Sequence, residues 1–346
     1  MGARIGVVGL GRIGSYHARN LLAMDGVDSM VVTDVDARRT SDVATELDVE
    51  SAADPDALFA SGVDGILVAA SSSSHAELIE AAVRRGIPTF CEKPVADSIE
   101  SSVRVLEAVE LTSVPVQIGF QRRFDPSFVA AYDAVRSGEL GWIHTLRSTT
   151  LDPAPPPISY IEHSGGIFRD CSIHDFDIVR WVSGREVTTV FATGSNQGDR
   201  AIAETGDVDT AATVLTFEGG TIAVVSNTRY NGRGHDCRLE VLGSRDSVAA
   251  GLDDRLPLRS LDPGISFPAK APYTFFMDRF TSAYRAELEA FLDVIAGRRE
   301  SPCTPADAVE SAWISEAATH SLREGRPVTI TEVKDLFLHD KNEAHT

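Results

Sequence analysis

Three side chains in this sequence have the types and spacing to move a proton alongside a hydride. Lys93 lies in Glu92-Lys93-Pro94, and Asp170 and His174 stand four residues apart. Removing a hydride from a secondary alcohol requires the hydroxyl proton to leave as well. A neutral imidazole near its own pKa suits that step, and a well-placed base contributes roughly a hundred- to ten-thousand-fold. An ammonium such as Lys93 nearby favours the neutral imidazole and stabilises developing alkoxide charge. Asp170 either orients the imidazole or bonds a substrate hydroxyl, and its charge pulls the His174 pKa the opposite way. Each residue also has an ordinary structural reading. A lysine before proline is commonly a surface turn, and an Asp/His pair at helical spacing is commonly a cap and an exposed histidine. The run His174-Asp175-Phe176-Asp177 has metal-binding residue types. Its spacing on a helix converges poorly, so no metal is expected.

A second constellation precedes these. Gly9-Leu10-Gly11-Arg12-Ile13-Gly14 is a G-x-G-x-x-G string that follows an apolar run and opens a helical pattern. Gly9 permits a tight turn, Gly11 lets the backbone approach a pyrophosphate, and Gly14 allows close helix–strand packing. The helix N-terminus, with Arg12 and Ile13 in its first turn, offers N–H groups and a partial positive charge to phosphates. Asp34 follows Gly14 by twenty positions. An acid there accepts hydrogen bonds from the adenine-ribose diol and repels a 2′-phosphate, which favours NAD over NADP. Arg38 and Arg39 lie close enough to soften that choice. The competing view makes the glycines turn residues and Asp34 a helix cap. Ser71, Ser72 and His75 follow another apolar run and are candidates to face the cofactor; capping by Ser73 or Ser74 is the alternative.

The elements that must position these groups follow from hydrophobic periodicity. Residues 4–8, 30–34, 65–70, 89–91 and 114–120 read as strands. Residues 13–24, 74–85 and 103–111 read as helices between them. Alternating strands and helices imply right-handed crossovers and a parallel sheet. Beyond Phe120 the pattern changes. Residues 142–151 alternate like a one-sided strand, 171–182 read as a helix, and strands follow at 187–194, 209–217, 220–229 and 237–243. Gly219-Gly220 is a hairpin signal. Residues 252–274 read as a loop, 280–295 and 305–322 as helices, and 327–330 as a short strand. The expected architecture is α/β: an N-terminal doubly wound parallel sheet over 1–121, a C-terminal α+β domain with a mainly antiparallel open sheet over 122–334, and a frayed polar tail over 335–346.

Composition narrows the function classes. The chain has 346 residues, enough for two domains with sizeable cores. It carries 51 acidic and 32 basic residues, a formal charge of −19. Such a surface repels phosphate backbones and anionic lipids, so neither nucleic acid nor membrane is an expected partner. A small neutral substrate fits better. No run approaches the roughly 18 apolar residues of a membrane span. The N-terminus enters its first apolar run at once, leaving no room for a signal peptide. The four cysteines are far apart and lack C-x-x-C pairing. A cytoplasmic location without disulfides or zinc is expected.

Longer strings complete the picture. Cys91-Glu92-Lys93-Pro94, Gln117-Ile118-Gly119-Phe120-Gln121-Arg122-Arg123-Phe124-Asp125 and Asp152-Pro153-Ala154-Pro155-Pro156-Pro157 occur in order. Ser164-Gly165-Gly166-Ile167-Phe168-Arg169-Asp170, Ile173-His174-Asp175-Phe176-Asp177 and Gly206-Asp207-Val208-Asp209-Thr210 follow. With the glycine string, these resemble the glucose–fructose oxidoreductase/inositol dehydrogenase (Gfo/Idh/MocA) family over nearly the whole chain, and its inositol 2-dehydrogenases above other branches. The resemblance implies a Rossmann domain, NAD as cofactor, and oxidation of a cyclic polyol, myo-inositol foremost. It implies that Lys93, Asp170 and His174 are catalytic, with His174 the general acid/base. It sets Arg122 near nicotinamide and substrate, and Asp152 near the substrate hydroxyls. Glu92 and Lys93 become cofactor-lining candidates. Lys93 and the Asp170/His174 pair are then expected to meet at the nicotinamide edge. Dimers or tetramers through the open sheet faces are implied too.

Two departures from the family pattern bear on specificity. His235 stands where a substrate-facing tyrosine is usual, and Glu162 where a lysine is usual. A pyranose or a modified inositol is therefore the alternative substrate. A non-catalytic dinucleotide-binding regulator is a third reading, opposed by the retention of Lys93, Asp170 and His174.

Overall fold

The structure is a computed structural model that describes residues 2–344. It divides into two compact units, one formed by residues up to 121 with 282–310, the other by 122–281 with those from 311 onward. This corrects the expectation that 122–334 forms one continuous domain. The stretch 282–310 returns to the first unit because the helix Thr281–Ile295 has an apolar face. Its Leu288, Phe291, Leu292 and Val294 join the core built by Ile5, Val7, Met30, Val32, Leu67 and Phe90.

The first unit is built on a six-stranded sheet: β1 (Ala3–Val8), β2 (Val27–Thr33), β3 (Glu50–Ser51), β4 (Gly65–Val68), β5 (Thr89–Glu92) and β6 (Val116–Gly119), in the order β3-β2-β1-β4-β5-β6. Every pairing is parallel. β4, β5 and β6 are buried throughout, which is why they read as unbroken apolar runs rather than alternating ones. No element is predicted from periodicity between β2 and β4. Two helices lie there, each with an aspartate cap. Asp36 accepts from the Arg38 and Arg39 N–H groups to start Ala37–Leu47, and Asp54 accepts from Ala57 to start Pro55–Phe59.

The second unit carries β7 (Ile143–Leu151), β8 (Val187–Ser195), β9 (Thr210–Phe217), β10 (Ile222–Thr228), β11 (Asp236–Gly243), β12 (Ser247–Ala250) and β13 (Val328–Thr329). Their order is β12-β11-β7-β10-β9-β8-β13. All neighbours are antiparallel except β7 and β10. Gly219 and Gly220, both at positive φ, turn β9 into β10. One face of the sheet is covered: Leu146, Ser148 and Thr150 of β7 are buried, and the helix Ile173–Ser183 packs against them. The other face leaves Phe191, Val214, Ile222 and Val224 exposed.

Residues 335–346, expected to fray, largely do not. A helix runs from Ile330 to Ala344, and residues 345–346 lie outside the described residues. Thr329 Oγ1 accepts the Glu332 N–H at its start, Val333 is buried, and Phe337 meets the Trp313 ring edge-on at 5.4 Å. The polar composition hid two apolar anchors one helical turn apart. No helix among the described residues is long and apolar enough to cross a membrane.

Candidate active site

In the first unit the glycine string joins β1 to the helix α1 (Arg12–Leu22). Gly9 has φ +92°, and a Cβ there would lie 2.5 Å from the Ala70 nitrogen. A Cβ on Gly14 would lie 1.9 Å from the Gly9 carbonyl oxygen, so α1 approaches β1 too closely for any side chain. Gly11 differs: a Cβ there meets nothing within 4 Å. It caps α1 without a side-chain bond. The open space at Gly11, next to the first-turn N–H groups that no helix satisfies internally, fits a pyrophosphate.

Asp34 closes the end of β2. Its side chain accepts from the Leu10 N–H at 2.6 Å and the Asp36 N–H at 2.9 Å, and Arg39 Nη1 donates at 3.2 Å. Burial works to raise this carboxyl, but the Asp36 and Leu10 N–H groups and the Arg39 charge hold it below the ordinary carboxylate range. A fixed anion at that point fits a ribose diol and opposes a phosphate. The residues present therefore fit NAD.

The Ser71 hydroxyl lies 3.2 Å from those of Ser73 and Ser74, and Ser71 precedes the helix Ser72–Val83 without capping it by its side chain. Ser72 opens that helix. His75 is buried, with Nδ1 2.8 Å from the Pro94 carbonyl and Nε2 3.1 Å from that of Ala70. Both ring nitrogens are thus occupied by backbone oxygens. Burial foremost lowers its pKa. Glu92 also turns inward, toward His17, while Lys93 follows it on the partly exposed turn.

In the second unit the sequence candidates converge on one end of the sheet. Leu151 of β7 pairs with Thr228 of β10 and with Asp236 of β11. Just past these ends come Asp152, Arg229 and His235. Asp152 accepts from the His235 ring, Nδ1 to Oδ1 3.1 Å, while His235 Nε2 is buried without a partner among the described residues. Arg229, 1 % exposed, donates to Asp170 Oδ2 at 3.0 Å and to Asp207 Oδ2 at 3.2 Å. Tyr160 donates to Asp170 Oδ1 at 2.9 Å. Asp170 lies in a π-helical turn, Phe168–Ser172, which runs into the helix carrying His174. The helical run therefore begins three residues before the expected start at 171, and its first turn is wider than an α-turn, a feature frequent at functional sites.

Arg122, expected beside nicotinamide and substrate, is buried. Its guanidinium donates to Asp175 Oδ1 and Thr150 Oγ1, both at 2.8 Å. Asp175 also accepts from Ser148 at 2.5 Å and from Asn227 at 2.8 Å. This network anchors the residue after His174 to β7 and β10. Sequence reasoning missed Arg229, Asp175 and His17. A charged residue ending the apolar strand β10 was one signal. His17, between Gly14 and Leu21 on the buried stripe of α1, was another.

Known proteins resemble both units. Residues 3–120 match the model of an oxidoreductase family with an NAD-binding Rossmann fold, and residues 128–249 match the GFO/IDH/MocA C-terminal domain. The myo-inositol 2-dehydrogenase of Thermotoga maritima is 38% identical, with 95% of this chain and 99% of that protein aligned. The NAD(+)-dependent scyllo-inositol 2-dehydrogenase of Bacillus subtilis is 37% identical over 96% of this chain and 98% of its own length. A crystal structure of scyllo-inositol dehydrogenase from Lactobacillus casei, with bound NAD(H) and scyllo-inositol, superposes with a TM-score of 0.87 at 28% identity, covering 96% and 100% of the two chains.

Proposed function

This chain belongs to the GFO/IDH/MocA oxidoreductase family and carries its NAD-binding Rossmann domain, and from that premise we propose that it oxidises a secondary hydroxyl of a cyclic polyol, myo-inositol to 2-keto-myo-inositol (scyllo-inosose). The observation that carries the reading is the cluster at the end of the second sheet. Asp152, Asp170 and His235 gather there with His174 four residues on from Asp170. Carboxylates and imidazoles at one sheet end suit a ligand that is all hydroxyl groups.

NAD, when bound, accepts the hydride. His174 takes the hydroxyl proton as general base. Lys93 stabilises the developing alkoxide. Asp170, oriented by Arg229 and Tyr160, binds a ring hydroxyl, and Asp152 binds another. The reading is tested by following NAD reduction against inositol stereoisomers and common hexoses. Turnover of myo-inositol is expected, and turnover of aldoses alone removes inositol. Lys93→Ala and His174→Ala are expected to lose turnover while NAD affinity stays within about threefold, because neither change touches the Gly11 cradle or Asp34.

One observation favours a second substrate. His235 replaces the usual tyrosine and keeps a buried, unpartnered Nε2, and Glu162 is exposed. A modified inositol or pyranose bearing an extra polar group fits such a residue. A homo-oligomer, dimer or tetramer, belongs to the same proposal, supported by the exposed row Phe191, Val214, Ile222 and Val224. Light scattering checks it.

A further inference from the structure

Beneath the Lys93 turn lies a buried group of ionisable side chains that the reaction above does not use. Glu92 Oε1 is 2.7 Å from His17 Nε2, and Glu92 Oε2 accepts the Lys93 N–H at 3.2 Å. Glu287, from the helix Thr281–Ile295, stands beside them. Ligating atoms of His17, Glu92 and Glu287 all lie within 4.8 Å of one another. His17 and Glu287 are both 0 % exposed. Neither oxygen of Glu287 has a hydrogen-bond partner among the described residues.

Two carboxylates this close, one fully buried and the other nearly so, are strongly disfavoured as two anions. The bonds decide which one carries the charge. Among the described residues, Glu92 has two donors and Glu287 has none. Burial first, and the Glu92 charge second, hold the Glu287 carboxyl well above the ordinary carboxylate range. Other groups border the cluster. Tyr284 lies edge-on to His17 at 5.6 Å, and Tyr16 edge-on to Tyr284 at the same distance. Gln117 of β6 donates to the Glu287 carbonyl at 2.9 Å. His75 feels the charges of both Glu92 and Lys93, and the Cys91 thiol feels that of Glu92.

We propose that His17, Glu92 and Glu287 are positioning residues of the reaction: Glu92 is the single anion of the group, His17 orients it, neutral Glu287 keeps it single, and the bond from the Lys93 N–H to Glu92 fixes the turn that presents the lysine. Glu92 is the last residue of β5 and Lys93 the first of the turn, so a Glu92 locked inward fixes where that turn leaves the strand. A charged acceptor on the Lys93 N–H holds that turn more firmly than a neutral one. The inference rests on the reading of Lys93 as catalytic.

The same substitution at two neighbouring carboxylates tests it in the full-length enzyme, assayed with NAD and the polyol found above. Glu92→Gln removes the anion; Glu287→Gln imitates a neutral acid. The loss of kcat is expected to be at least about tenfold greater at 92 than at 287, since a misplaced group costs up to roughly a hundredfold. Glu92→Gln is also expected to move the kcat/KM–pH profile, while NAD affinity holds. Equal losses at the two positions, or Glu92→Gln with the wild-type kcat and pH profile, overturn the proposal. If Glu92→Gln does not fold, His17→Gln serves in its stead: a fall in kcat with NAD affinity retained supports the role, and an unchanged kcat overturns it. Lys93→Ala separates the two readings. If that variant turns over normally, the catalytic role of Lys93 fails; if it is inactive while Glu92→Gln behaves as wild type, only the positioning role fails.

Discussion

Asp34 acts through its neighbours as much as through its own charge. Its oxygens hold the Leu10 and Asp36 N–H groups and the Arg39 guanidinium. Asp34→Ala removes the anion that opposes a 2′-phosphate and releases Arg39 to meet one. The ratio of kcat/KM for NADP over NAD is expected to rise by about tenfold or more, a change of roughly 1.4 kcal/mol; an unchanged ratio shows that Asp34 does not set the preference. Asp175 makes a complementary case. Four side-chain donors converge on it, one of them the buried Arg122. Asp175→Ala leaves that guanidinium without its counter-charge in the interior, and is expected to destabilise the fold by about 3–5 kcal/mol in denaturant titration. A cost under about 1 kcal/mol shows that the network is not holding the helix. No local pattern distinguishes Asp175 from Asp177 as the partner of Arg122. Both are acids on the same helix, and only the register of β7 against that helix separates them.

At the scale of elements, the β1–α1 junction is the most constrained. Gly14→Ala puts a Cβ 1.9 Å from the Gly9 carbonyl oxygen. The helix must move off the strand, and with it the N–H groups at Gly11. NAD affinity is expected to fall by about tenfold or more, measured by fluorescence titration, because the phosphate site depends on that approach. Wild-type affinity shows that the junction adjusts without cost. This junction was legible from the residues, since its glycines are contiguous with the strand and helix they join. The π-turn at Phe168–Ser172 was not. Nothing in the order Phe-Arg-Asp-Cys-Ser distinguishes a wide turn from an ordinary one; Asp170 N–H bonds Gly166 and Ser172 Oγ reaches the Ile167 carbonyl only once the chain packs on β10.

For the whole molecule, the buried Glu287 couples stability to pH. Its carboxyl is raised in the fold, chiefly by burial, so the folded chain holds a proton that the unfolded chain has released. Its contribution is greatest below the ordinary glutamate range and is lost as pH rises toward the raised value. Each pH unit in that window costs up to about 1.4 kcal/mol. Glu287→Gln cannot ionise, so its melting temperature is expected to fall less steeply with pH than that of the wild type above about pH 5. Parallel dependences of melting temperature on pH show that Glu287 titrates alike in the folded and unfolded chain.

The alternation of the main strands and helices, the glycine cradle, the acid at the end of β2 and the Asp170/His174 spacing were all set within short windows of the sequence, because periodicity and turn chemistry are local. Folding decided the rest. It sent the helix Thr281–Ile295 back to the first unit, where Leu288 and Phe291 join the core. It turned Arg122 inward onto Asp175, and brought Glu287 beside His17 and Glu92. Those outcomes depend on which apolar faces find each other across long stretches of chain. Burial, and the pairing it forces on charged groups, is a property of the packed molecule that no single segment contains.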